Sequence, residues 1–255
     1  MTLDSGSVQH RVSPEEWQAR LECAAVYRLL AAYGMSDLVY NHVTVRVPGA
    51  DERILINPFG YLYEEITASS LITIAVDGRI LLNPHSGLGI NQAGYVIHSA
   101  VHAARQDVGC VIHTHTRAGM AVSAMACGLL PLTQTAMRCM PLAYHAYEGP
   151  AVDLDERARL VADLGGVNAM ILRNHGLLTT GPTAAEAFNM MYWLEMACRA
   201  QVDAMAARTE LTLPPDAVVA HATHLYQPGT RRPFGLLEWP AMLRLLDRRD
   251  PSWRS

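Results

Sequence analysis

VIHTHTRAG, residues 111–119, is an apolar run that suddenly presents two imidazoles, His113 and His115, with one residue between them. In an extended strand, residues i and i+2 face the same side, so both rings project together while Ile112 and Thr114 point the other way. The stretch that contains them, GCVIHTH (109–115), reads as a short buried strand, and RAGMAVSAMACG (117–128) returns to helix.

Working outward, the same alternation of strand and helix covers the chain. SPEEWQARLECAAVYRLLAAYG (13–34) reads as a helix: Ser13 caps it, Pro14 suits the first helical position, Glu16 completes a capping box and Gly34 stops it. Strand-like segments follow at 43–47, 53–56 and 71–76, separated by the turns VPGADE, NPFGY and VDGR. NQAGYVIHSAVHAAR (91–105) has helical spacing, with Val96, Ile97, Ala100 and Val101 on one side. AMILRNHGLLTTG (169–181) reads as strand, turn at 174–176, strand. A long helix is predicted over 183–208, turning Phe188, Met191, Leu194 and Cys198 toward a core, and a final one near 239–246. Residues 1–12 read as a disordered lead and 13–255 as one domain, whose only weak joint is LTLPPDA at 211–217. The expectation is a single α/β domain around a mixed sheet.

Bulk properties bound the function. Of 255 residues, 50% are hydrophobic and 17% charged, which allows a sizeable core. A formal charge of −4 gives no electrostatic reason to expect nucleic acid or an anionic membrane. Five scattered cysteines with no CxxC pair suit a reduced compartment. The N-terminus lacks the apolar core of a signal peptide, and no apolar run has the length of a bilayer span. A cytoplasmic protein acting on a small molecule is expected.

The histidines carry the chemistry. Two parallel imidazoles can chelate one divalent ion; a third ligand from elsewhere would leave a position open for substrate or water. His175 is the best candidate, at the end of an apolar strand beside a turn-permitting glycine, Gly176. By spacing alone the pair equally suits surface decoration or a hydrogen-bonded core feature. His98 and His102 form a second pair, i and i+4 on a predicted helix, also able to share an ion. The blander reading has one of them bonded at a helix–sheet contact and the other exposed.

Several longer blocks now carry a resemblance: YNHVTVRVPG (40–49), LINPFGYLYEEITASSL (55–71), HSAVHAARQDVGCVIHTHTRAGMAVSAMACGLLPLT (98–133), YHAYEGPAVD (144–153), and LRNHGLLTTG (172–181) with EAFNMMYWLEMAC (186–198). Over about residues 15–205 the chain resembles the class II aldolase/adducin family, in its adducin-like branch. The resemblance implies a three-layer α/β/α sandwich with a central mixed, largely antiparallel sheet, and a homotetramer with the metal cleft near a subunit interface. It implies one divalent metal ion held by His113, His115 and His175: zinc first, with Fe(II), Mn or Co also suited.

The chain departs from the family where phosphorylated sugars are handled. Gly94 stands where those aldolases carry a glutamate that contacts the metal and serves as general acid/base. Gln92 and Ala93 replace serines that bind phosphate, Phe59–Gly60 replaces a Thr-Gly pair, and His42 replaces an asparagine. Loss of a general acid/base typically costs about 10²–10⁴ in rate, which argues against a sugar-phosphate aldolase unless another group substitutes. Candidate substitutes are Tyr144, His145 and Glu148. Candidate substrate-binding residues are Asn41, His42, Thr44, Asn57 and Gly60, with Phe59, Tyr61 and Tyr63 as an apolar wall or as core. Arg46 reads as structural. The implied activity is a metal-dependent carbon–carbon lyase, of aldolase or decarboxylase type, on a small non-phosphorylated oxygenated or keto acid. Two alternatives stand beside it: a non-haem Fe(II) oxygenase on the same three histidines, and a non-catalytic adducin-like assembly protein.

Overall fold

A computed structural model describes residues 7–49, 52–149 and 156–255. The helices are α1 (Pro14–Ala32), α2 (Gln92–Ala104), α3 (Arg117–Ser123), α4 (Gln134–Arg138), α5 (Glu156–Leu164), α6 (Ala184–Ala206), α7 (Asp216–Leu225) and α8 (Trp239–Arg249). The strands are β1 (His42–Arg46), β2 (Arg53–Ile56), β3 (Ile72–Ala75), β4 (Ile80–Leu82), β5 (Cys110–Thr114), β6 (Ala143–His145), β7 (Ala169–Leu172) and β8 (Gly176–Gly181). They form one sheet in the order β4-β3-β2-β1-β5-β8-β7-β6. Every pairing is antiparallel except that of β6 with β7, so the sheet is mixed and largely antiparallel, as the resemblance implied.

Strand alternation builds the layers. Val43, Val45, Leu55, Ile112, Ile171 and Leu177 point to one face, where α1 and the buried side of α6 close the main core. Residues of opposite parity face α2 and α5: Val111, Met170 and Leu178 meet Ile97, Val101 and Leu160, while Ile54, Ile56, Ile72 and Ile74 meet Val96. Helices on both faces of one sheet make the sandwich, with β5, the strand of the histidine pair, among the central strands.

The first helix keeps its expected start: Ser13 Oγ accepts from the Glu16 amide at 3.2 Å, and Pro14 takes the first position. Glu16 does not complete a capping box. Its buried carboxylate takes Arg20, Arg53 and Thr73 instead, tying α1 to β2 and β3. Arg20, also buried, donates further to the Ala68 and Leu71 carbonyls. That network satisfies a charge pair that would be costly to leave unpaired. The expected disordered lead is corrected in part: Val8–Arg11 form a 3₁₀ turn whose Val8 is buried, whereas residues 1–6 lie outside the described ones.

Candidate metal centre

The site assembles at the C-terminal end of β5. His113 is the penultimate residue of that strand, and His115 follows just beyond its end. The turn between β7 and β8 delivers His175 to the same place. That turn is tight: Asn174 takes a left-handed φ of 54°, and a Cβ on Gly176 would lie 2.3 Å from the Thr114 carbonyl oxygen. Only glycine lets the two chain segments approach this closely.

His115 Nε2 lies 3.0 Å from His113 Nε2 and 2.9 Å from His175 Nε2, and the ligand atoms of the three rings all fall within 4.8 Å of one another. The second nitrogens decide what these contacts are. His113 Nδ1 is 2.9 Å from the Leu177 carbonyl oxygen, which can only accept, so Nδ1 carries the proton. His115 Nδ1 donates in the same way to Asp37 Oδ2 at 3.1 Å. In the neutral rings both Nε2 atoms then present lone pairs to each other. Burial, followed by the neighbouring His175 and His115, holds His113 well below its ordinary pKa. Burial and His115 bring His175 down to about 4. Facing lone pairs repel unless a cation sits among them, so the donor set fits a divalent ion. Carbonyl and carboxylate partners on the far nitrogens are the usual supports of metal-binding histidines.

Asp37 was not among the residues singled out from sequence. It lies in the loop between α1 and β1, where two non-glycine residues take left-handed backbone, Leu38 at φ 49° and Asn41 at φ 66°. Such strain tends to persist where surrounding contacts over-determine it, often at functional sites. Asn41 is buried; its Oδ1 accepts from the His115 amide at 3.3 Å, and its Nδ2 has no partner among the described residues. His42 is 4% exposed, pairs with His113 in the β1–β5 register, and likewise leaves both ring nitrogens without a partner. The Tyr147 ring centroid lies 6.0 Å from that of His175, and the exposed Tyr40 and Phe59 rings lie 6.3 Å apart.

Several nominated residues serve elsewhere. Thr44 is wholly buried and bridges His98 Nδ1 and His102 Nε2, at 2.8 Å each, so it lies inside the helix–sheet contact. Neither of those histidines is exposed, which corrects that expectation. Asn57 is buried and accepts from the Tyr27 hydroxyl at 2.8 Å, a core role. Tyr63 packs edge-on against Tyr27 in the core, and Tyr61 packs against His85, leaving Phe59 as the exposed member of the proposed wall. Gly60 lies in the exposed loop beside Phe59. Arg46 caps the end of α2 through the His102 and Arg105 carbonyls, the structural role expected of it.

Among the candidate proton carriers, Tyr144 Oη accepts from the Leu129 amide at 3.0 Å under the Arg173 guanidinium, and the Glu148 carboxylate is engaged by Arg159. Both are engaged in structural contacts. His145, on edge strand β6, is buried with Nδ1 on Asp163 at 2.7 Å. Its Nε2, 3.5 Å from Glu156 Oε1, is buried with no hydrogen-bond partner among the described residues, and His145 lines a space of about 10 Å³ together with Tyr147 and His175. That is room for about one water. A larger cavity of about 240 Å³, lined by Arg138, Trp193, Tyr226 and Phe234, lies off the opposite ends of β7 and β8.

Comparison with known proteins places the chain in a family and a fold. The family model described as "Class II Aldolase and Adducin N-terminal domain" matches residues 21–202. The crystal structure of an aldolase II superfamily protein from Pseudomonas syringae is 50% identical, with a TM-score of 0.93, covering 98% of this chain and 100% of that one. L-fuculose 1-phosphate aldolase from Glaciozyma antarctica is 26% identical with a TM-score of 0.83, covering 94% and 93%. Alpha-adducin of Mus musculus is 41% identical over a 244-residue alignment that covers 89% of this chain but 33% of that protein. Among the described residues, no helix is long and apolar enough to cross a membrane.

Proposed function

We infer the activity from the premise that the chain belongs to the class II aldolase and adducin N-terminal domain family: it is a divalent-metal-dependent carbon–carbon lyase acting on a small, non-phosphorylated oxygenated or keto acid. The observation that carries this reading is the convergence of three Nε2 atoms whose partner nitrogens on His113 and His115 are already held as donors. His113, His115 and His175 hold the ion, zinc in the first instance; when bound, it polarises a substrate carbonyl and takes up charge released as the carbon–carbon bond breaks. Leu177 and Asp37 fix ring orientation. Asn41 offers an N–H to substrate oxygen, Phe59 and Tyr40 border the entrance, and His145 moves a proton by way of a single water. A non-phosphorylated substrate is favoured because Phe59 stands in the loop beside Gly60 where a hydroxyl would be needed to bind phosphate. A homotetramer is part of the same reading and is checked by light scattering.

The test is metal analysis of protein purified without added metal, combined with a panel of 2-hydroxy and 2-keto acids assayed with and without oxygen. One zinc per chain and oxygen-independent cleavage are expected. Bound iron with substrate-linked oxygen uptake would replace the lyase by an oxygenase on the same ligands. Absence of stoichiometric metal would overturn both.

A further inference from the structure

Beside the three histidines, a strand residue and a helix glycine compete for one volume. A Cβ built on Gly94, in the first turn of α2, would lie 2.3 Å from Cε1, 2.4 Å from Nδ1 and 2.5 Å from Nε2 of His42. The imidazole therefore fills the space that any side chain at position 94 would need. It lies with its ring centroid 4.2 Å from that of His98 and 5.5 Å from that of His113.

This packing leaves polar atoms unanswered. Both ring nitrogens of His42 and Nδ2 of Asn41 are buried with no partner among the described residues. An unpaired buried polar atom costs about 1–3 kcal/mol, so orphans of this kind, adjacent in sequence and placed beside a ligand-binding cluster, call for a partner. Its chemistry can be read from what they offer. Asn41 Nδ2 is a donor only in this pose, because Oδ1 already accepts from the His115 amide. The buried His42 imidazole brings at least one N–H and no negative charge. Among the described residues, the carboxylate in contact with the cluster, Asp37, stands behind His115 on its Nδ1 side.

We propose that His42 and Asn41 form a carboxylate-binding pair, made possible by Gly94, that recognises the acid group of a 2-keto or 2-hydroxy acid whose other oxygens face the three histidines. This rests on the metal reading above and deepens it by naming the residues that take the acid group and the glycine that makes room for them. Gly94 is the residue that sets the specificity: a side chain there displaces the His42 ring and removes one of the two donors.

Oxalate, a small planar dicarboxylate, is the probe, titrated calorimetrically into the full chain both cobalt(II)-loaded and metal-free. Asn41→Asp keeps the size and the acceptor to His115 but turns the donor into a carboxylate oxygen; it is expected to weaken oxalate at least 30-fold. His42→Ala is expected to weaken it about 10-fold, and His42→Gln, which restores an N–H, to recover part of that loss. Variants holding one cobalt per chain that bind oxalate within twofold of wild type overturn the pair. Wild type holding less than one cobalt brings down the metal reading instead, and the pair then stands or falls on the same ratios in the metal-free titration. The shared volume has its own readout. Gly94→Ala should lower Tm, and the loss should shrink in His42→Ala/Gly94→Ala; equal losses in both backgrounds would show that position 94 has room of its own.

Discussion

Two histidine pairs face the same layer of this molecule and end in opposite chemistry. His98 and His102, one turn apart on α2, aim Nδ1 and Nε2 at a single hydroxyl, Thr44 Oγ1, 2.8 Å from each. A hydroxyl donates one hydrogen bond and accepts others, so it serves both rings at once and the focus of the pair is filled. His113 and His115, two apart at the end of β5, aim Nε2 at each other and at His175, with their protons committed outward to Leu177 and Asp37. There the Nε2 atoms of His113 and His115 turn lone pairs toward each other. Spacing makes rings converge in both cases; what stands at the point of convergence separates a hydrogen-bonded core from a candidate metal site.

The largest expected effect removes the second focus. His113→Ala/His115→Ala should abolish stoichiometric metal, measured by elemental analysis, together with the rise in Tm that added metal gives the wild type. His98→Ala/His102→Ala should leave metal at the wild-type level if it folds. Equal loss of metal from both double variants would erase the distinction.

Next in size is Thr44→Val, a near-isosteric change that empties the first focus. It leaves two buried ring nitrogens unsatisfied, so about 2–5 kcal/mol of stability should be lost in urea unfolding, with metal content unchanged. A loss under about 0.5 kcal/mol would mean that the bridge contributes nothing net.

The same pair sets a pH dependence. Burial, reinforced by Arg46, holds His102 down to about 3, and burial holds His98 well below its ordinary value. Between those values and the unfolded pKa of about 6.5, the unfolded chain binds protons that the folded chain refuses. Stability from this source is therefore complete above pH 6.5 and lost as pH falls toward 3, by about 1.4 kcal/mol per pH unit for each ring. Urea unfolding of metal-free protein should show no difference above pH 6.5 and, from pH 6 to 5, a slope shallower by about that amount in His102→Gln. An identical slope would show that His102 does not resist protonation.

How much of this contrast could be read in the sequence follows from which contacts are local. The long amphipathic helices and the buried strands were legible because their periodicity is internal: Phe188, Met191, Leu194 and Cys198 do all face the core. β4 was not, since three residues with Ile80 and Leu81 exposed carry no pattern of burial. β6 was not, since an edge strand of three residues looks like the loop around it. The convergence of His113, His115 and His175 was legible from an i, i+2 pair and a glycine-flanked turn. Thr44 passed for a substrate residue because nothing nearby in sequence shows that α2 lays two rings across it. Asp37 was invisible for the same reason: its partner lies 78 positions away. The collision between His42 and Gly94 joins a strand to a helix, so the sequence showed two separate departures from the family where the structure has one packing event.

Asp37 gives the smallest effect and the finest test of the comparison. Its carboxylate accepts from His115 Nδ1 and so both orients the ring and makes Nε2 more basic toward a cation. Asp37→Asn keeps an acceptor in place and removes only the charge. If charge matters, metal affinity should fall about 10-fold, close to 1.4 kcal/mol, in a chelator competition, with stability of the metal-free chain nearly unchanged because the side chain is 41% exposed. If orientation alone matters, Asp37→Asn should bind metal as the wild type does while Asp37→Ala does not. Either result separates this focus from the Thr44 bridge, where a neutral hydroxyl suffices because no cation has to be held.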